Sequence, residues 1–332
     1  MRMHALTSPV QRFLGQGKKW ASGETHSQRA IRWVKEHRHP QGGLPPHHKH
    51  KGTTQEVTGY LIPTLYNWGE KDLAISLAKW EASVQRPNGA FVAPDTDVPY
   101  TFDTAQVIRG FLAVVDDVPE LEKNLRRACD YVDSQITPEG EVRSPSYEVW
   151  KLRNGETLTD YCNLYVLPPM LQAGRKLSEP KYVEAARRGM NYFRKKPDLV
   201  QFKPEIGTLS HMFGYMMEAL VELGEVDLAR AGLCQAAAIQ KSNGAIPAYP
   251  GVEWVCSTGM AQLAIAWYML GEVEPANRAV AYLENLQHPS GGFYGGYGKG
   301  ASYFPAEEIC WAVKFFLDCL TLRASTKTKR LS

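Results

Sequence analysis

His39-Pro40-Gln41-Gly42-Gly43-Leu44 and His288-Pro289-Ser290-Gly291-Gly292-Phe293 are two copies of one turn. The first follows Trp33-Val34-Lys35-Glu36 and the second follows Tyr282-Leu283-Glu284-Asn285, and the two segments align over twelve positions without a gap. Related turns lie between them: Gln85-Arg86-Pro87-Asn88-Gly89-Ala90-Phe91, Gln135 to Gly140 with Val142, and Gln240-Lys241-Ser242-Asn243-Gly244-Ala245-Ile246. The unit is a helix ending in Gln, a Pro/Asn/Ser-Gly turn and an apolar residue that tucks back, repeated every ~50 residues, a period typical of helical repeat architectures. Gln85, Gln135, Gln240 and Gln287 are expected to be structural, each bonding backbone near its own turn.

Working outward, each unit holds two helix-like stretches. The first members, roughly 26–37, 71–85, 120–135, 180–195, 225–241 and 274–287, are amphipathic, as Asp72-Leu73-Ala74-Ile75-Ser76-Leu77-Ala78-Lys79-Trp80 illustrates. The second members, roughly 56–68, 103–115, 159–173, 209–222, 257–270 and 306–320, are apolar nearly all round, as in Met260-Ala261-Gln262-Leu263-Ala264-Ile265-Ala266-Trp267-Tyr268. Helices polar on one face belong outside and helices apolar on every face belong inside. Six such pairs predict an all-α (α/α)6 toroid over residues 26–320. An N-terminal extension covers 1–25, and a basic tail, 321–332, is expected to be disordered.

The helix ending in Tyr-Leu followed by Gln-x3-Gly-x-Phe resembles the QW repeat of the squalene–hopene cyclase and protein prenyltransferase superfamily. The same toroid is used by carbohydrate-active enzymes, including uronyl hydrolases, polysaccharide lyases and sugar epimerases. The resemblance implies the architecture over almost the whole chain; a turn motif is scaffold and does not choose a chemistry. Asp103-Thr104-Ala105 is similar to the end of the cyclases' acidic motif, but the preceding position, where those enzymes carry the proton-donating Asp, is Phe102. The zinc site of the prenyltransferases pairs Asp and Cys two residues apart. Cys256 lies in a comparable place, but Trp254 stands two before it, and His211 precedes Cys256 in the chain.

Composition narrows the function classes. The chain has 332 residues, 44% of them hydrophobic and 22% charged, which is ample for a large core and excludes disorder. A formal charge of +3 gives no phosphate-seeking field, so no nucleic-acid partner is expected. No stretch approaches the length of a spanning helix, and the first thirty residues hold no apolar leader core. The six cysteines are scattered without a CxxC pair and read as buried free thiols of a cytoplasmic protein. His37, His39, His47, His48 and His50 follow no metal-ligand spacing and are interrupted by Gly42-Gly43 and Pro45-Pro46. Neither a cofactor nor a metal is expected.

In a toroid the inner helices run parallel and their N-termini gather at one mouth. The starts carry Glu56, Asp103, Asp160, His211, and Glu307 with Glu308, which are the candidate catalytic residues. Acidic residues also favour helix N-termini as caps, for about 0.5–2 kcal/mol each. Convergence of the whole set favours a shared function, because carboxylates facing one another in a dry pocket divide into an acid and a base. Adjacent inner helices ~8–10 Å apart would bring neighbouring carboxyls to distances used by glycosidases. Tyr60, Tyr100, Gln106, Tyr161, Trp254 and Tyr297 are the candidate substrate-binding residues, since aromatic faces beside carboxylates and amides suit sugar rings. They suit a carbocation equally. The leading reading is an enzyme acting by hydrolysis, elimination or epimerisation on a glycan, with a small-molecule or oligosaccharide as its partner. A divergent terpene-cyclase-like enzyme and a non-catalytic binding toroid are the alternatives.

Overall fold

The computed structural model describes residues 23–92, 96–145, 159–196, 198–203 and 209–331, with the side chains of 159, 160 and 327–331 excepted. The outer helices are α1 (His26–His37), α3 (Lys71–Val84), α5 (Glu122–Ser134), α7 (Pro180–Phe193), α9 (Val226–Ile239) and α11 (Val273–Leu286). The inner helices are α2 (Gln55–Asn67), α4 (Thr101–Val114), α6 (Leu167–Lys176), α8 (Ser210–Glu222), α10 (Ser257–Leu270) and α12 (Cys310–Leu331). Burial follows the predicted division. Helix α1 buries Ala30, Trp33 and Val34 and exposes Lys35 and Glu36, whereas α10 buries every residue from Ser257 to Tyr268. Each inner helix packs on the next, and α12 packs on α2 and on α1, which closes the ring as an (α/α)6 toroid.

Two places depart from the expected boundaries. The third inner helix opens with the single turn Thr159–Cys162, tightens to a 3-10 segment at Asn163–Val166, and becomes α-helical at Leu167. Pro168 and Pro169 lack N–H groups, so an uninterrupted helical ladder cannot run through them. The sixth inner helix starts at Cys310 and not at 306, because the residues before it are drawn into extended pairing: His47 bridges Ile309, and Tyr294 bridges Glu308. At the other end this helix continues to Leu331, through the segment expected as a disordered tail. Most of the N-terminal extension lies outside the described residues, but Thr25 caps α1 in a capping box with Gln28.

The repeated turn is a clasp between neighbouring units. Gly89, Gly140, Gly244 and Gly291 have φ of +91°, +96°, +93° and +103°, and a Cβ on any of them would overlap the carbonyl oxygen of Arg127, Arg188, Arg278 or Arg29 on the next outer helix. Only glycine meets both demands. Gln85 Nε2 donates to the carbonyls of Gly89 and Asn124, at 3.0 Å each. Gln240 repeats this with Gly244 and Pro275, and Gln287 with Gly291 and His26. Gln135 is the exception, donating to the Ser134 hydroxyl; Arg188 from the next outer helix holds that turn instead, through the carbonyls of Ile136 and Thr137. The tucked residues Leu44, Phe91, Val142, Ile246 and Phe293 are all buried. Thr58 and Thr104 accept from the N–H groups of Leu44 and Phe91, so Thr104 of the Asp103-Thr104-Ala105 stretch is a scaffold residue.

Candidate active site

Parallel inner helices place residues of equivalent position in one layer. Glu56 on α2, Asp103 on α4 and His211 on α8 all occupy first turns, and the next turn adds Tyr60 and Tyr215. The Tyr215 hydroxyl spans the ring and donates to Glu56 Oε1 at 3.3 Å. Around it stand Phe102 (5.2 Å between ring centroids), Tyr165 (4.6 Å), Phe315 (5.8 Å) and His211 (4.6 Å). Tyr303, from the loop after the glycine-rich stretch, and Trp311 complete the wall beside His211. The result is a cup-like cluster of aromatic rings in which Tyr215 meets both the Glu56 carboxyl and the His211 imidazole.

Burial sets the protonation of these groups. Asp103 is 1% exposed, and Oδ2 has no hydrogen-bond partner among the described residues. Desolvation, and next the charge of Glu56, hold its pKa well above the ordinary value. Glu56 rises to about 7 through desolvation, against the Tyr215 hydrogen bond that favours its ionised form. His211 is lowered to about 4, again mainly by burial, with the bond to Gln262 opposing and the Lys314 charge assisting. Burial thus favours the protonated form of both carboxyls and the uncharged form of His211. Behind Asp103, Glu81 on α3 is fully buried with both oxygens unpartnered among the described residues, and it too is pushed up by burial and then by the Asp103 charge.

Deeper along the ring a charged layer crosses between helices. Arg109 on α4 donates to both oxygens of Glu222 on α8, at 3.1 and 2.8 Å, and lies over the Tyr165 ring. Tyr165 donates to Glu218, whose carboxyl burial raises to about 8. Lys314 pairs with Asp318 at 2.9 Å, and Asp318 also accepts from Thr64 on α2. These bonds tie α4 to α8 and α2 to α12 beneath the cup.

Not every expected site residue belongs to it. Glu308 sits at the outer clasp, accepting from Trp33 Nε1 (2.6 Å) and the Ser290 hydroxyl (2.7 Å) and meeting His288 Nδ1 (2.7 Å). Burial pushes its pKa up, but those bonds overcome it and hold the carboxyl at about 2. Glu307 faces outward and pairs with Lys49 at 3.2 Å. Both precede α12 in extended chain, so they never share the helix-start layer. Tyr297 is pinned in the rim loop, where its hydroxyl donates to the Leu286 carbonyl, accepts from the Tyr294 N–H and meets His288. Trp254 is buried under the same loop against Tyr249, next to the two-residue strands β1 (Val255–Cys256) and β2 (Gly296–Tyr297), which pair antiparallel. Gln106 is buried and donates to its own helix at the Phe102 carbonyl, while Tyr100 packs against Phe102 at the helix start. Tyr161 is half-buried at the opening turn of the third inner helix, and the side chain of Asp160 lies outside the described residues, as do Tyr147, Trp150, Lys151 and Arg153.

The histidine-rich loop disperses. His37 stacks on Trp33, His48 accepts from the Glu308 N–H, and His47 lies against Phe304. Among the described residues no group of three or more His, Cys, Asp and Glu could hold a metal ion, and no helix is long and apolar enough to cross a membrane. All six cysteines are free; five are buried as expected, and Cys234 is exposed. Sequence reasoning missed Tyr215 and Gln262. Tyr215 lies four residues after His211, on the same helix face, and Gln262 is an amide in the middle of an apolar helix; these are the signals the sequence holds, and neither names a partner.

No protein-family model matches the sequence, and no curated protein does either. Solved structures do share the fold. An unsaturated glucuronyl hydrolase specific for heparin is 11% identical, with a TM-score of 0.68 over 96% of this chain and 98% of that one. A glycosyl hydrolase family 88 protein from Bacteroides vulgatus is 12% identical, with a TM-score of 0.63 over 91% of this chain and 100% of that one. A type II terpene cyclase from Scytonema, in complex with geranylgeranyl dihydroxybenzoate, is 14% identical, with a TM-score of 0.60 over 97% and 100%.

Proposed function

We propose that this toroid is a carbohydrate-active enzyme that works on a glycan by acid–base catalysis between Asp103 and Glu56. The observation that carries the proposal is the carboxyl pair at the head of α2 and α4, Asp103 buried and Glu56 half-buried, with burial raising the pKa of both. Asp103 donates its proton to the leaving oxygen of the sugar, or, in epimerisation, to the opposite face of the ring carbon that Glu56 deprotonates. Glu56, as carboxylate, takes a proton from water or from the ring carbon, the first giving hydrolysis and the second elimination or epimerisation. Tyr215 orients Glu56, and the faces of Phe102, Tyr215, Tyr303 and Trp311 stack on the ring's C–H surfaces. The family 88 hydrolase and the glucuronyl hydrolase support the reading by carrying sugar chemistry on the same fold.

The test is turnover of a panel of 4-nitrophenyl glycosides and unsaturated uronyl disaccharides. Asp103→Asn and Glu56→Gln should keep the circular dichroism of the parent and lose at least about 10²-fold in rate. Near wild-type turnover by both variants rejects the acid–base assignment. One observation favours a second reading: a protonated acid beside so many aromatic faces also suits an isoprenoid carbocation. Turnover of a geranylgeranyl-bearing aromatic acid, with every sugar probe inert, would decide for that reading.

A further inference from the structure

The α8–α10 contact contains a polar arrangement that packing does not require. His211 Nδ1 lies 2.6 Å from Gln262 Oε1, with the ring 3% and the amide 0% exposed. Gln262 is surrounded on its own helix by Met260, Ala261, Leu263, Ala264 and Ile265, where burying a primary amide costs several kcal/mol on transfer scales. Its Nε2 has no partner among the described residues, so the amide is not there to complete a hydrogen-bond network. The backbone is arranged to admit it. A Cβ at Gly214 would stand 2.5 Å from the Gln262 Cβ, and one at Gly259 would overlap Ser210, so glycine on both helices lets them approach until the amide reaches the imidazole.

We infer that Gln262 is a positioning residue, holding His211 in the Nδ1–H tautomer so that Nε2 is presented to the aromatic cup as an uncharged acceptor for a ligand hydroxyl. A carboxamide oxygen only accepts, so the Nδ1 edge must carry the proton, and the lone pair is left on the opposite edge. The groups around the ring agree with an uncharged state. Among the described residues they are Tyr215 on its own helix, Tyr303 from the rim loop, Trp311 and Phe315 from α12, and the charge of Lys314, which opposes a second cation. A carboxylate in place of Gln262 would draw the ring into an imidazolium; an amide fixes its orientation without charging it. The inference deepens the proposed function and rests on it, since it specifies a hydroxyl-bearing ligand with its donor directed at Nε2.

The experiment is a long-range ¹H–¹⁵N correlation on full-length protein labelled at histidine nitrogens, with the His211 signals assigned by their loss in His211→Phe. Wild type should show a protonated Nδ1 and an unprotonated Nε2 from pH 8 to pH 6. Gln262→Leu should redistribute the tautomers, and Gln262→Glu should raise the ring's titration midpoint by at least about one pH unit, as an adjacent carboxylate does. A predominant Nε2–H form in wild type overturns the inference, and that measurement needs no variant to fold. An unchanged tautomer in Gln262→Leu overturns it equally. If the tautomers behave as expected while Asp103→Asn and Glu56→Gln retain full turnover, the assignment to Gln262 stands and the acid–base reading fails.

Discussion

Tyr215→Phe isolates one hydrogen bond in the cup. The substitution removes an oxygen and keeps the ring against Phe102, Tyr165 and Phe315. What is lost is the donor at 3.3 Å from Glu56 Oε1, the one contribution that favours the carboxylate against burial. A hydrogen bond to a charged group contributes about 1.5–3 kcal/mol, and 3.3 Å is long for O–H···O, so the lower end applies. At about 1.4 kcal/mol per pKa unit, Glu56 should move up from about 7 by roughly one unit. The assay is carbonyl ¹³C NMR of protein labelled at glutamate Cδ, with the signal assigned by its absence in Glu56→Gln, so no substrate is needed. In turnover, the limb on which Glu56 ionises should shift to higher pH by the same amount. A titration midpoint that stays in place or falls refutes the cross-ring contact and the protonation scheme built on it.

Gln287→Ala should cost about 2–4 kcal/mol by urea denaturation, because it leaves the His26 and Gly291 carbonyls and the His26 and Arg29 donors without their shared amide. Gln135→Ala, which breaks only a contact to Ser134, should stay within about 0.5 kcal/mol of wild type. Glu308 ionises at about 2, below its ordinary value, so its stabilisation is present above pH 4.5 and is lost as pH falls toward 2. After discounting for its partial exposure, Glu308→Gln should cost about 1–2 kcal/mol at pH 7 and only a small part of that at pH 2, readable from melting temperatures across that range.

The architecture was legible because its determinants are local and recur. Turn glycines, terminal glutamines and the alternation of amphipathic with apolar helices are each readable within some ten residues, and ring closure follows from their number. The same periodicity brought out Glu56, Asp103 and His211, since equivalent positions in parallel helices must meet. It misled at Glu308, whose partners Trp33, His288 and Ser290 come from the opposite end of the chain and from the final turn. Their pull replaces a helical turn with extended chain, and no count of residues from a turn reveals that. Gln262 and Tyr215 were hidden for a different reason. Inside an apolar helix, which polar residue meets which partner depends on how closely two backbones approach, and for Gln262 the glycines at 214 and 259 decide it.

The last clasp, where Gln287 and Gly291 seize His26 and Arg29, gives the chain a topology that a linear stack of repeats lacks. A solenoid has two frayed ends, and unfolding can begin at either and travel inward one unit at a time. Here the sixth unit's turn occupies the place a terminal cap would fill, and the first helix is the surface it lands on. Every unit is then flanked on both sides, so detaching any one of them breaks two interfaces at once. Opening should therefore be concerted, and the layer of Glu56, Asp103 and His211, whose members come from separate helices of the ring, should form only once that circle is complete.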